Sequence, residues 1–577
     1  MGSLSTSRTV VRFGQFELDQ DAGELRRDGA KVRLQEQPLQ ILRILLQQPG
    51  RVVPREELQK RIWPSDTFVD FDHGINNAIK RLREALGDIA ETPRFIETLP
   101  RRGYRFLNAV AVSTLNVEVS IAVLPFLSLS SDPDNEIFAD GMCEEIISSL
   151  ARVKNLRVIA RTSSFSFKGK HVDLRAIGEQ LNVRTVLEGS VRKSGNRLKI
   201  TVQLVNAADG YHLWSETYDR EMKDVFAIQE EIANAIVQRL EVTLDSQQHP
   251  LFRAGTDKLE AFKLYTQGRS LFFQRGPHLL RSVEHCRQAV ALDPKYALAW
   301  SGLADAYNMV GFYGLTHPEA CLPQAKEAAQ RAIGLDPSLA EAHTSLAMCY
   351  LFHDWDRQSA EREFLHALEL KPRNSLTRTW YGLYLLHWAE GRFQEALAQT
   401  TQAVQIDPIS PYARAIQAIT YLLVDVEKSI EKARETLLID SNYFLGHWAH
   451  LSALKLQGHH AEAAAIGESV LKLLGRSVWM LGSLARTYAY LGRRADCEAL
   501  YMELHWRSKR EYVQPTGLAW AAWAAGKQAE AIRCVEEAHA IGDPSLLAAK
   551  YWPDFEELRK DDHFNEILVS RDRGKHN

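Results

Sequence analysis

Residues 71–107, FDHGINNAIKRLREALGDIAETPRFIETLPRRGYRFL, decide how the first part of this chain folds. Ile75, Ile79, Leu82 and Leu86 recur at helical spacing and predict a helix with one buried face. Gly87 ends it, because glycine enters the left-handed conformation without a steric penalty. Phe95–Leu107 then alternates around Pro100-Arg101-Arg102-Gly103, which predicts a hairpin. A type I turn with Gly103 in the left-handed position is expected, with Arg101 and Arg102 at the tip and Tyr104 and Phe106 against the body. The outer and flanking faces of the helix keep Asn76, Asn77, Lys80, Arg81 and Arg83. Between Asn76 and Arg105 stand seven bases (Lys80, Arg81, Arg83, Arg94, Arg101, Arg102, Arg105) against four acids (Glu84, Asp88, Glu91, Glu97). The whole chain carries a net charge of −3, so this basic excess is local. Arginine and lysine suit guanine edges and phosphates, and asparagine suits adenine edges. A merely solvated helix face explains any one of these residues, but not the set on this predicted scaffold.

Upstream, residues 10–35 read as several brief strands, with turns at Asp21-Ala22-Gly23 and Asp28-Gly29. QPLQILRILLQQPG (37–50) reads as an amphipathic helix closed by Pro49-Gly50. PREELQKRIW (54–63) starts a second helix at a proline, which is favoured in a first turn. Strands, three helices and a final hairpin are the parts of a winged helix-turn-helix. PGRVVPREELQKRIW, the Ile75/Ile79/Leu82/Arg83/Leu86 pattern and FIETLPRRGYRF resemble the OmpR-type winged helix-turn-helix family over about the first hundred residues. The resemblance implies that the third helix enters the major groove of double-stranded DNA with Lys80, Arg81 and Arg83. It implies that the hairpin is a wing on the minor groove and phosphates. About ten residues precede the first strand, so control by an upstream receiver domain is not expected. Residues 108–120 are too short and polar to span a membrane as in CadC-like regulators.

Residues 113–120, STLNVEVS, read as a linker after a first domain at 10–112. Strand–helix alternation over 121–246 predicts one α/β domain. IAVLPF, FADGMCEEIISSL, VIARTSSFSFKGK and VLEGSVRKSGNRLKITVQLVNAADGYHLWSETYDR are similar to the TolB-amino-terminal-like module. From 257 to 545 the chain is helical and repetitive. ALDP, GLDP, ELKP, QIDP and LIDS place Pro294, Pro337, Pro372, Pro408 and Ser441 at spacings of 43, 35, 36 and 33. A period near 34 is the tetratricopeptide signature. About seven or eight repeats are expected, with residues 546–577 as a capping helix and tail. The expected fold class is multidomain α+β: a winged helix, a small α/β domain and an all-α solenoid.

Composition is that of an ordinary globular protein, 45% apolar and 25% charged. No secretory leader and no apolar run of spanning length occur, so a cytoplasmic protein is expected. The six cysteines lack C-x-x-C spacing and read as small core residues. P-loop, H-E-x-x-H, G-x-S-x-G and dinucleotide motifs are missing, so no enzyme, cofactor or metal site is expected. His459-His460 reads as an exposed turn rather than a ligand pair, and SDPDNE (131–136) as a turn into a helix rather than a calcium loop. Arg161, Thr162, Ser163, Ser164, Lys168 and Lys170 follow a predicted strand, where anions bind in open α/β sheets. A solvated polar loop is the preferred reading of them. Together these readings point to a sequence-specific transcriptional regulator that self-associates on DNA. Its solenoid would hold a protein or peptide, with RNA polymerase a further partner. The alternative is a scaffold whose solenoid is the functional surface and whose DNA binding is auxiliary.

Overall fold

Alternating apolar residues in the first strands build a meander. β1 (Ser7–Phe13), β2 (Phe16–Asp19), β3 (Glu24–Arg27) and β4 (Ala30–Val32) pair antiparallel in sequence order. β8 (Ala111–Asn116) returns along β1 with Val112 opposite Val11. Between them lie α1 (Glu36–Gln47), β5 (Val52–Val53), α2 (Arg55–Ile62), α3 (Phe71–Leu86), β6 (Ile96–Leu99) and β7 (Gly103–Phe106). The last two strands and β5 form a second sheet in the order β5-β7-β6. One core joins these parts: Phe13 meets Phe106 edge-on at 5.2 Å, and Leu42, Leu58 and Leu82 are fully buried. The structure therefore places a strand over residues 113–116, which read as linker in the sequence. Pairing with β1 supplies the order that local composition does not signal.

The structure, a computed structural model, describes residues 7–19, 23–27, 30–32, 34–63, 71–108, 111–116, 119–129, 133–151, 153, 156–170, 172–221, 225–240 and 255–572. Most of the two turns expected at 21–23 and 28–29 lies outside the described residues. The chain divides into two units, residues 1–119 and 120–577.

In the second unit, β9 (Val119–Val123), β10 (Leu127–Ser128), β11 (Leu156–Val158), β12 (Thr185–Ser194), β13 (Arg197–Asn206) and β14 (His212–Glu221) form one sheet. β9 runs parallel to β12, while β12, β13 and β14 form an antiparallel meander. Helices α4 (Pro133–Leu150), α5 (Arg161–Phe165), α6 (Leu174–Leu181) and α7 (Val225–Arg239) complete the α/β part. From α8 (Leu259–Gln274), α9 (His278–Leu292), α10 (Ala297–Phe312) and α11 (Pro318–Leu335) onward, antiparallel helix pairs continue to Gln528–Ala540. There are eight such pairs among the described residues. The spacings of 35 and 36 have a physical cause. The helices of those two repeats contain π-helical stretches, Tyr350–Asp354 and Tyr381–Glu390. A wider turn absorbs inserted residues without breaking the helix. All six cysteines are buried and unpaired.

The α/β part and the solenoid meet where α4 packs on α8 and through one repeat motif. In three copies the motif's aspartate, Asp293, Asp336 or Asp440, accepts from the backbone N–H two residues on, at 3.0 Å. In QIDP, Ser163 enters this turn. Its N–H donates to Asp407 Oδ1 at 2.9 Å, and its hydroxyl accepts from Ile409 N–H at 2.9 Å. The polar stretch around Ser163 is thus a seam, and Arg161 of the same stretch pairs with Glu144 at 3.1 Å. Burial raises the Asp407 carboxyl above its usual range, against hydrogen bonds from Ser163, Thr162 and Ser410. A raised carboxyl in the folded state loses stability as pH climbs through that raised value. Asp407→Asn is expected to keep the docking and flatten this loss in thermal unfolding across pH. Asp407→Ala is expected to cost about 1–3 kcal/mol at all pH values, because Ser163 N–H is left unsatisfied.

The carboxyl-terminal region is not a single capping helix. Short 3-10 turns at Pro544–Ala548, Pro553–Phe555 and Leu558–Lys560 precede a helix at Asp562–Asp572. Trp552 is 1% exposed and stacks on Trp448 at 4.4 Å, with Trp388 edge-on at 6.0 Å. Asp554 forms a buried ion pair with Lys455. The last segment therefore fills part of the solenoid interior with aromatic surface. No helix among the described residues is long and apolar enough to cross a membrane.

Candidate nucleic-acid interface

The third helix separates its faces as its pattern predicts. Ile75, Ala78, Ile79, Leu82 and Leu86 are buried in the first core. His73, Asn76, Asn77, Lys80, Arg81 and Glu84 form the exposed stripe. Asn77, Lys80 and Arg81 have no side-chain partner among the described residues. Three unspent polar side chains on successive turns give a convex, mainly basic edge of groove-entering width.

The other predicted residues are tied down to different degrees. Asn76 Oδ1 accepts from Arg55 Nη2 and from the Tyr104 hydroxyl, both at 2.9 Å. Arg55 also donates to the Tyr104 hydroxyl at 2.9 Å, and its guanidinium lies 5.2 Å from the ring centre. This triad joins the start of α2, the outer side of α3 and strand β7. A bidentate adenine contact needs the amide oxygen as acceptor, so the free capacity of Asn76 is its amino group. Arg83 is half-buried and donates to Ile96 O at 2.8 Å and Thr98 Oγ1 at 2.9 Å. It braces the hairpin against α3. Arg105 pairs across the hairpin with Glu97 through Nε at 2.7 Å and Nη2 at 2.5 Å. Asp88 orders the connection, accepting from Arg94 N–H at 2.6 Å and Ile96 N–H at 2.8 Å.

The hairpin tip corrects the expected turn. Arg102 N–H donates to Leu99 O at 3.0 Å, so the turn is Leu99-Pro100-Arg101-Arg102. Proline second and a left-handed residue third are the pattern of type II. The left-handed residue is Arg101, with φ of 61°, and not Gly103. Gly103 has φ of 138°, and a Cβ there would lie 2.0 Å from Val53 O. The glycine is needed because β5 crosses the hairpin base. Arg101 and Arg102 are both exposed at the tip.

Sequence reasoning missed Arg55 and the hydrogen-bonding part of Tyr104. Their only signal is spatial, because residues 55, 76 and 104 meet through the fold. Elsewhere, His459 is exposed beside Glu462, and His460 stacks on Tyr490 at 4.5 Å. No metal-holding cluster occurs among the described residues.

Comparison with known proteins matches residues 29–106 to the family described as transcriptional regulatory protein, C terminal. Residues 117–235 match the HilA/YgeH-like transcriptional regulator, second domain. A Rhizobium meliloti (strain 1021) protein bearing the name adenylate cyclase 3 is 38% identical over 256 residues, 43% of this chain and 42% of that protein. Transcriptional regulator HilA of Salmonella typhi is 24% identical over 472 residues, 79% of this chain and 82% of HilA. The DNA-binding domain of Klebsiella pneumoniae RstA, solved in complex with RstA box, is 28% identical and covers 17% of this chain and 96% of that domain, with a TM-score of 0.16. The chain thus spans less than half of the first relative and most of the second. Residues 29–106 are thus similar to the carboxyl-terminal domain of transcriptional regulatory proteins, and residues 117–235 to the second domain of HilA/YgeH-like transcriptional regulators.

Proposed function

We propose that the chain is a sequence-specific transcriptional regulator in which α3 reads the major groove and the wing tip grips the minor groove and phosphates. The observation that carries this reading is the exposed stripe Asn77, Lys80 and Arg81, without side-chain partners among the described residues, beside the exposed Arg101 and Arg102. Asn76, Arg83 and Arg105 hold the reader and wing in register, with the Asn76 amino group left to donate. The α/β part and the solenoid sense, oligomerise or bind a protein partner, and RNA polymerase is the partner through which promoter output is set. A single winged helix covers limited DNA surface, so two copies on adjacent half-sites are expected. Both family matches are to regulators, which supports a non-enzymatic role in the cytoplasm where the DNA lies. The domain limits that go with this reading are 121–246 and 257–545 for the later parts, with the first domain, 10–112 in the sequence, extended to Asn116 by β8.

Selection of random DNA by residues 1–119 tests it: a defined site is expected. Weak, sequence-blind binding that vanishes near physiological salt would instead favour the scaffold reading.

The wing makes a separate prediction. Arg101→Ala with Arg102→Ala is expected to weaken binding to all sequences and lower the salt slope by about 2. An unchanged slope in salt titrations removes the wing from the interface. Arg101→Gly separates grip from strain. Glycine adopts this backbone freely, so the first unit is expected to gain about 1 kcal/mol in denaturant unfolding while DNA affinity falls.

A further inference from the structure

Arg275 sits in the turn between α8 and α9, and two separate features of it disfavour the fold. Its backbone, at φ 61° and ψ −167°, lies in a region essentially reserved for glycine. Its side chain is buried, and both terminal nitrogens lack a hydrogen-bond partner among the described residues. No carboxylate among the described residues lies at ion-pair distance. Asp305, near enough to feel the charge, is held by Arg269 at 2.9 Å and by the Ser345 hydroxyl at 2.6 Å. The guanidinium is instead sandwiched, 4.1 Å from the Phe272 ring centre and 4.5 Å from that of Tyr412. Ring faces attract the charge but leave the N–H groups at its edge unsatisfied. Tyr443 borders the same charge, and its hydroxyl is also buried without a partner among the described residues.

We propose that Arg275 and Tyr443 form an oxyanion site inside the solenoid that takes a carboxylate or phosphate group. The guanidinium fork matches two oxygens of such a group, and the phenol donates to the same group. The bound anion neutralises a cation that burial otherwise penalises. Phe272, Tyr384 and Tyr412 wall the site and keep water from competing. Tyr313 and Tyr443 are only half-buried, so the entry lies on their side of the site. Strained backbone at a buried, unsatisfied cation is the pairing expected where an occupant offsets both costs.

The test is thermal unfolding of the full chain in phosphate, acetate or chloride at matched ionic strength, comparing the native protein with Arg275→Gly and Tyr443→Phe. Without phosphate or acetate, Arg275→Gly is expected to melt about 2 °C higher, since glycine accepts the backbone and the buried charge is gone. Phosphate or acetate is expected to raise the native Tm saturably by about 4 °C more than it raises that of Arg275→Gly. Tyr443→Phe is expected to raise the ligand-free Tm slightly, since an unsatisfied buried hydroxyl is gone, and to weaken the apparent affinity about ten-fold. A response to phosphate alone assigns a phosphate group, and one to acetate alone a carboxylate. Equal responses of the native protein and Arg275→Gly to both ions would overturn the site.

Discussion

Lys80→Ala with Arg81→Ala is expected to lower affinity for the selected DNA site by about 100-fold, because each good base contact contributes about 1–3 kcal/mol. Binding to scrambled DNA should fall much less. The thermal stability of the first unit should not move, since both side chains are exposed and without partners among the described residues. Competition titrations with selected and scrambled duplexes measure this. A variant that keeps its preference for the selected site removes α3 from the reading role. Arg83→Ala is the contrasting case. Its guanidinium joins α3 to Ile96 and Thr98, so its loss should cost about 1 kcal/mol of stability and loosen the wing.

Asp554→Ala is expected to destabilise the second unit by about 3–5 kcal/mol, because it leaves the Lys455 ammonium buried alone. Lys455 and Asp554 are 7% and 3% exposed, and the Ser483 hydroxyl joins them, accepting from Lys455 at 2.8 Å and donating to Asp554 at 3.0 Å. Lys455→Met with Asp554→Leu should recover most of the loss, since a well-packed apolar pair replaces the ion pair at similar volume. The pH dependence has a definite sign. Burial lowers the Lys455 amine below its ordinary range, so the folded state favours its neutral form relative to the unfolded chain. The Asp554→Ala penalty should therefore shrink as pH rises toward the ordinary lysine value. Denaturant unfolding at several pH values reads both effects. A small, pH-independent loss would mean that Asp554 does not hold the segment that carries Trp552.

The filled interior changes how the solenoid is understood. Helical repeats present concave surfaces for extended peptides, but here Trp552 and Phe555 already occupy part of that surface. The repeat motifs have also diverged in use. Asp407 receives the α/β part where its equivalents Asp293, Asp336 and Asp440 close local turns. Neither change alters the repeat's local pattern, because one comes from Ser163 of the α/β part and the other from the segment after the last helix pair, so periodicity does not reveal them.

Local periodicity by itself determined the elements of this protein. The spacing of Ile75, Ile79, Leu82 and Leu86 placed α3, alternation placed the hairpin of β6 and β7, and the recurring proline motif placed the helix pairs. These signals are short-range, because burial of one face of a helix or strand is written into consecutive residues. Tertiary structure alone decided which polar groups are spent. Asn76 is held by Arg55 and Tyr104, Arg83 by the hairpin, Arg101 rather than Gly103 takes the left-handed turn position, and the terminal nitrogens of Arg275 have no hydrogen-bond partner among the described residues. Hydrogen bonds and ion pairs between residues tens of positions apart have no period in the chain, so a basic residue looks the same in sequence whether it braces the fold or faces a ligand.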